Sequence, residues 1–456
     1  MIPKFAVVGR VNEGKSSVIA TLTENDQIGI GPTPGTTTET RKFVYRSQGK
    51  DIIEVYDTPG FQEPERAFTW LQETYTGPAT GRPQAIQRFV ETFANSREFS
   101  DECELLEPIL AGAAILYVID ASHPYRPSYE SEFEILRWTG RPRMALINSV
   151  RDTDFSEEWK RSLSQHFNLV FSFNAHKADF GKRLELLHAM RLLDSDVTQG
   201  VDEAITIFEA ERRDRVQDTA QIMAAFLQES LTYRFVTDDS SVSEHHGMQS
   251  YREAIRQLEV SFRKDLRKRF NFSTYFENRT PLGVVDSDIF AERTWRVLGL
   301  NAKQLIAAAA TAGATLGLGI DIALGGQSFL LGAAVGALLA AGPAAWWAND
   351  APKVKQYGIQ VSGTKLSIGP IKSPNWPWLL LDRCLMYVSA LNGRTHAMSG
   401  DLKEDKEGFV TELPTKDRNT YAKCFLLIRK SKPAPELMPL LVKSINEILV
   451  IDTSQN

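Results

Sequence analysis

Cysteine is nearly absent. The chain has three in 456 residues, Cys103, Cys384 and Cys424, far apart and odd in number. That excludes a disulfide framework and a cysteine zinc site, and it points to a reducing compartment. Positive charge is not in excess either: 52 Lys and Arg stand against 57 Asp and Glu, a formal net charge of -5. A broad nucleic-acid-binding face needs the opposite balance, so nucleic acid is not an expected partner. The N-terminus carries no charged lead and no apolar signal segment before its first strand, so the N-terminal domain is expected to face the cytoplasm. Histidines are few, and His245-His246 lacks a carboxylate or cysteine at metal-ligand spacing, so the pair is expected on the surface. The length suffices for two or three domains with their own cores.

What the chain does have is a phosphate-binding loop. Gly9-Arg10-Val11-Asn12-Glu13-Gly14-Lys15-Ser16-Ser17 fits G-x-x-x-x-G-K-[ST]. The apolar run Phe5–Val8 before it predicts a buried strand, and Ser17–Leu22 after it a helix, which is the context the motif needs. Backbone N–H groups from Asn12 to Ser17 would point at an anion, aided by the helix N-terminus. Lys15 would reach the β- and γ-phosphates, and the Ser16 hydroxyl would hold Mg²⁺. Gly29–Gly35 can only be loop, and it leads into Thr36-Thr37-Thr38-Glu39, where a hydroxyl can meet Mg²⁺ opposite the γ-phosphate. Strands are predicted at Lys42–Ser47 and Asp51–Tyr56. The second ends in Asp57-Thr58-Pro59-Gly60, where Asp57 can grip Mg²⁺ through water and the Gly60 N–H can meet the γ-phosphate.

These three stretches resemble the Era/TrmE/EngA group of bacterial small GTPases over about the first 180 residues. The resemblance implies an α/β P-loop GTPase fold, a mostly parallel sheet flanked by helices, acting on GTP and GDP. It implies Thr37 as the switch-one magnesium ligand and links Asn12 to potassium-assisted hydrolysis. Phe61 stands where Ras-like proteins carry a catalytic glutamine, either as ordinary packing or as part of the mechanism. A slow GTPase is implied, drawing its missing charge from K⁺, a partner protein or a second copy of the chain. The strand Ala113–Asp120 is followed by another, Arg143–Ile147, ending at Asn148. The family's Asn-Lys-x-Asp motif reads here Asn148-Ser149-Val150-Arg151-Asp152: the lysine is gone, and Asp152 meets guanine only if the loop bulges. After a strand at Leu169–Phe173, Ala175 occupies the position whose N–H contacts the base oxygen, and His176 is expected to be structural.

Residues 62–108 exceed the usual length of their region and are expected to be an insertion within the 1–195 domain, either a partner-binding lid or a structural elaboration. Residues 196–300 predict a helical region, with helices over Asp202–Arg234 and His245–Phe270. The second carries Arg252, Arg256, Arg263, Lys264, Arg267, Lys268 and Arg269, either a solvated face or a contact for anionic headgroups. Residues 301–352 hold two apolar runs, Leu305–Ala323 and Gln327–Ala348, with Asp321 their only charge and Gly325-Gly326 between them. As helices they would span about 28 and 33 Å, close to a hydrocarbon core of roughly 30 Å. Gly313-x-x-x-Gly317 and Gly332-x-x-x-Gly336 suit close packing, and Trp346-Trp347 suits a membrane interface. A membrane hairpin is expected, the alternative being a buried hairpin in a soluble domain. Residues 353–456 predict a small C-terminal α/β region, with a strand over Gly358–Ile368, an apolar helix over Leu379–Leu391, a polar loop over Asp401–Lys416 and a last helix over Leu437–Ile451. The whole is similar to a bacterial family in which such a GTPase domain precedes a mainly α-helical C-terminal domain of unknown function.

The expectation is therefore a GTP-hydrolysing switch with Mg²⁺ and K⁺ as cofactors, held at the cytoplasmic face of the inner membrane. The alternatives are a ribosome- or RNA-associated assembly factor in the cytoplasm, and a nucleotide-binding scaffold that scarcely hydrolyses.

Overall fold

The structure is a computed structural model. It describes residues 2–23, 40–148, 155–174, 180–193, 195–271, 287–301, 304, 357–362, 365–393 and 408–451. The apolar runs at 305–348 lie outside the described residues. Among the described residues, no helix is long and apolar enough to cross a membrane.

The N-terminal part runs β1 (Lys4–Val8), α1 (Lys15–Thr23), β2 (Arg41–Ser47), β3 (Lys50–Asp57), α2 (Pro64–Thr74), α3 (Arg82–Phe93), α4 (Ser100–Leu110), β4 (Ala114–Asp120), α5 (Glu130–Trp138), β5 (Arg143–Asn148), α6 (Ser156–Leu163), β6 (Leu169–Ser172) and α7 (Phe180–Arg191). The strands form one sheet in the order β2-β3-β1-β4-β5-β6. Only β2 is antiparallel to its neighbour. Central parallel strands are covered on both faces, which is why β1 and β4 read as continuous apolar runs. Side chains alternate across the pleat. Phe5 and Val7 join α1 and α7 on one face, while Ala6 and Val8 join α2 to α6 on the other. The register Val7↔Asp57, Val8↔Tyr117 and Asp120↔Asn148 brings the ends of β1, β3, β4 and β5 to one edge, where open α/β sheets bind ligands.

The long stretch after Gly60 is helical. α2 starts with Pro64 at its first position, where a missing N–H costs nothing. Its Phe68 and the following Tyr75 pack edge-on against Trp138 of α5, while Trp70 packs against Phe89 and Phe93 of α3. Phe61 is itself buried on this face.

The remaining elements are α8 (Ser195–Thr232), β7 (Phe235–Thr237), α9 (Glu244–Arg269), α10 (Glu292–Val297), β8 (Gln360–Ser362), β9 (Lys365–Ile368), α11 (Trp376–Gly393), α12 (Phe409–Glu412), α13 (Thr415–Arg429) and α14 (Leu437–Ile451). The stretch expected to be one strand is two short antiparallel ones, paired with β7 in a three-stranded sheet. α11 is buried nearly all round, so its sequence has no polar face. His245 and His246 are both exposed on α9.

α8 belongs to two cores. It is 38 residues long, about 57 Å at 1.5 Å per residue. Val201, Ala204, Ile205 and Phe208 pack with the main sheet, whereas Val216, Met223, Phe226 and Leu231 pack in the C-terminal core. The arginines of α9 are mostly partnered within the chain. Arg252 donates to the Tyr357 hydroxyl (2.7 Å), and Arg256 donates to Asp288 (2.8 Å). Arg267 donates to the Tyr387 hydroxyl (3.2 Å), and Arg269 to Asp218 (2.6 Å). Arg263 and the buried Arg383 of α11 both donate to Glu259 (2.8 and 2.6 Å). These hydrogen bonds and ion pairs tie the arginines to the chain itself, while Lys264 and Lys268 are exposed.

Candidate functional site

The phosphate loop joins β1 to α1. Lys15 is buried, and its Nζ donates to the carbonyls of Gly9 (2.8 Å) and Arg10 (3.0 Å), so the side chain folds back over the loop that would hold the phosphates. Burial lowers its pKa, with the nearby charges of Asp57 and Glu13 working against that. The Ser16 hydroxyl donates to Asp57 Oδ2 across 3.4 Å, so the two oxygen donors predicted for one metal stand side by side. Hydroxyl and carboxylate oxygens are the hard donors that suit Mg²⁺. Ser17 is buried behind them.

Gly60 has its Cα beside this loop: a Cβ there would come within 3.1 Å of the Gly9 carbonyl oxygen. The Thr58 hydroxyl donates to the Val7 carbonyl (2.8 Å), pinning the turn after β3 to the end of β1. Gly14 has a positive φ of 94°, and a Cβ would lie 2.3 Å from Asn148 Nδ2. That close approach exists because Asn148 is fully buried at the end of β5 and donates to the Glu13 carbonyl (3.3 Å). Asn12 is also in the left-handed region, with φ 68°. Asparagine tolerates it better than most residues.

The two charged loop residues face away from the cradle. The Glu13 carboxylate accepts from the Asp120 N–H and from the Tyr129 hydroxyl (2.8 Å). Burial pushes its pKa up to about 6 against those two hydrogen bonds. Arg10 donates to buried Glu132 (2.5 Å) and lies 3.6 Å from the centre of the Tyr129 ring. Glu132 also accepts from the Tyr117 hydroxyl (2.6 Å), and burial raises its pKa. The loop is thus anchored sideways to β4 and α5.

Of the candidate residues, Asn12, Glu13, Gly14, Lys15, Ser16, Ser17, Asp57, Gly60 and Asn148 are brought to one edge of the sheet. Thr37, Asp152 and Ala175 lie outside the described residues. Sequence reasoning missed Arg10, Tyr129 and Glu132, which look like ordinary surface and helix residues until the fold pairs them. It also missed Glu102 and Glu104 of α4. Buried Glu102 accepts from the N–H groups of Gln62 (2.8 Å) and Glu63 (2.7 Å), while Glu104 accepts from the Thr40 N–H (3.2 Å).

Residues 4–149 match the family described as 50S ribosome-binding GTPase. With the strand order and the phosphate loop, this defines a P-loop GTPase domain of the Era/Der/EngB type. Residues 160–436, more than half of the chain, match the family described as domain of unknown function DUF3482. The protein belongs to that family. Its match begins inside α6, before the last strand of the GTPase sheet. Among curated relatives, GTPase Der of Nitratidesulfovibrio vulgaris is 26% identical over 207 residues, 44% of this chain and 38% of that one. The probable GTP-binding protein EngB of Acidobacterium capsulatum is 28% identical over 153 residues, 32% of this chain and 60% of that one. The chain therefore spans less than two thirds of the length of these relatives. A structure of an Era variant from Aquifex aeolicus bound to GDP and AlF4⁻ is similar at 21% identity, with a TM-score of 0.28, over 41% of this chain and 56% of that one.

Proposed function

We propose that this protein is a GTP-binding and GTP-hydrolysing switch whose nucleotide state is passed to the C-terminal core through α8. The observation that carries it is the approach of Gly60 and Asp57 to the phosphate loop: the turn after β3 stands where a terminal phosphate would be felt. In this reading Ser16, Asp57 and Thr37 hold Mg²⁺, which when bound neutralises charge on the phosphate oxygens. Lys15 leaves the Gly9 and Arg10 carbonyls for the β- and γ-phosphates. Asn148 braces the loop from the base side, with Asp152 and Ala175 as base contacts. Phe61 excludes water behind the turn and supplies no polar group. Asn12 is the candidate K⁺ ligand, and turnover is expected to be slow and faster in potassium than in sodium.

The route onward starts at β2, the strand that follows the threonine-bearing segment. Tyr45 and Ser47 both donate from β2 to Glu211 at the middle of α8, and Tyr45 stacks on Phe208 with ring centroids 4.4 Å apart. The membrane would be met through residues 305–348, whose composition supports a hairpin. A second reading, a ribosome-associated factor, is favoured by the family matched at residues 4–149. Flotation of the full chain with liposomes supports the first reading, and cosedimentation with ribosomes in place of flotation supports the second.

The switch itself is tested with purified chain and the Lys15→Ala variant. GTP turnover lost in the variant and enhanced by K⁺ supports the proposal. Turnover equal in wild type and variant overturns it.

A further inference from the structure

We infer that α4 is a shared anchor for the two segments that sense the nucleotide, with Glu102 and Glu104 as positioning residues. The inference rests on the switch reading above. Glu102 is 1% exposed, and its Oε1 accepts from two consecutive N–H groups, those of Gln62 and Glu63. Both N–H groups precede α2, whose N-cap residue Glu63 makes no side-chain cap of its own. A carboxylate from another helix therefore fixes the entry to α2 and lies near its N-terminus, where negative charge is favoured. Two residues on, Glu104 holds Thr40 twice: its carboxylate takes the N–H (3.2 Å), and its carbonyl takes the hydroxyl (2.8 Å).

The spacing explains why one helix serves both segments. Residues two apart on a helix point about 200° apart, so α4 lies wedged between the segments with one carboxylate towards each. Leu105, Leu106 and Ile109 are fully buried and fix α4 to the sheet. Gln62 is two residues past Gly60, and Thr40 is three past Thr37. Extended chain of those lengths reaches no more than about 7 and 10 Å. A shift of either segment on gaining or losing a phosphate is thus transmitted to α4 within one helical turn. The helices α2 and α3, between Glu63 and α4, leave and rejoin the domain at this same clasp.

The test uses the full chain and three substitutions, Thr40→Val, Glu104→Ala and Glu102→Gln. Thr40→Val removes only the hydroxyl donor, so it keeps the test valid if a buried-glutamate variant fails to fold. Affinities for GDP and for a non-hydrolysable GTP analogue are measured, with amide hydrogen exchange read at residues 40–41 and 61–63. The expected result is GDP affinity within about twofold of wild type, with preference for the analogue falling about tenfold in Glu104→Ala, the scale of one hydrogen bond to a charged group, and about threefold in Thr40→Val, whose hydroxyl meets a neutral carbonyl. Thr40→Val is also expected to speed exchange at 61–63, a cross effect that a purely local role would not produce. Faster exchange confined to the substituted segment, or equal losses for both nucleotides, overturns the inference. If wild type does not distinguish the nucleotides, the switch reading fails. The exchange cross effect without nucleotide then still decides the clasp.

Discussion

Gly14 and Gly60 set the steric tolerance of the site, and each makes a separate prediction. At Gly14 an added methyl would strike Asn148 in a backbone region that side chains avoid, so Gly14→Ala should weaken binding of both GDP and GTP by more than about tenfold, measured by titration. At Gly60 the contact is looser, 3.1 Å to the Gly9 carbonyl oxygen. Gly60→Ala should spare GDP affinity and lower turnover. Glu13 makes a pH prediction. Its folded pKa of about 6 lies above the ordinary carboxylate value, so the native state holds the extra proton between pH 4.5 and 6. Its contribution to stability is therefore fullest below pH 4.5 and is lost as pH rises through 6, an effect of about 2 kcal/mol. Denaturant melts of the nucleotide-free chain should show Glu13→Gln gaining on wild type by about that amount between pH 4.5 and 7.5. A difference independent of pH would contradict it. At this scale the phosphate loop was legible because its chemistry is local: nine consecutive residues carry it. The anchoring of Glu13 to Tyr129 was not, because 116 positions separate the partners and nothing local marks either.

α8 is the element on which coupling between the two cores depends. Phe208→Ala removes a ring stacked on Tyr45, and should cost about 3 kcal/mol of stability by calorimetry. Tyr45→Phe keeps the ring and removes one of the two donors to Glu211. It should leave nucleotide affinity unchanged while reducing any nucleotide-dependent change in exchange along residues 216–231. The central strands of the main sheet were legible in sequence because buried parallel strands read as nearly continuous apolar runs, as in Ala114–Asp120. Alternation over Gly358–Ile368 was read as one strand where β8 and β9 pair antiparallel, and β7, three residues long, is too short to show a period. The basic stretch of α9 was read as either solvated or lipid-facing. Arg256 and Asp288 form an exposed pair, as a solvated face would, but Arg263 shares Glu259 with the buried Arg383 and fits neither.

For the whole molecule, the two cores share one continuous helix. A chain ended at Leu193 would uncover the sheet face that Val201, Ala204, Ile205 and Phe208 bury. Four such side chains are worth about 5 kcal/mol, comparable with the stability of a small domain. That truncation should be unstable or insoluble, whereas one ended at Arg213 should melt cooperatively and bind GDP. That a GTPase domain comes first and a mainly helical one follows was readable from the phosphate loop and the helical periodicity of the later chain. The sharing of α8 was not, because an amphipathic period says that a face is buried and not against what.

The most direct test of the central claim is nucleotide affinity of the purified full chain with Mg²⁺ present, compared across GTP, GDP and ATP. The account predicts binding of GTP and GDP, little competition from ATP, and loss of all binding in Lys15→Ala. Binding of no nucleotide, or of ATP as well as GTP, would contradict it.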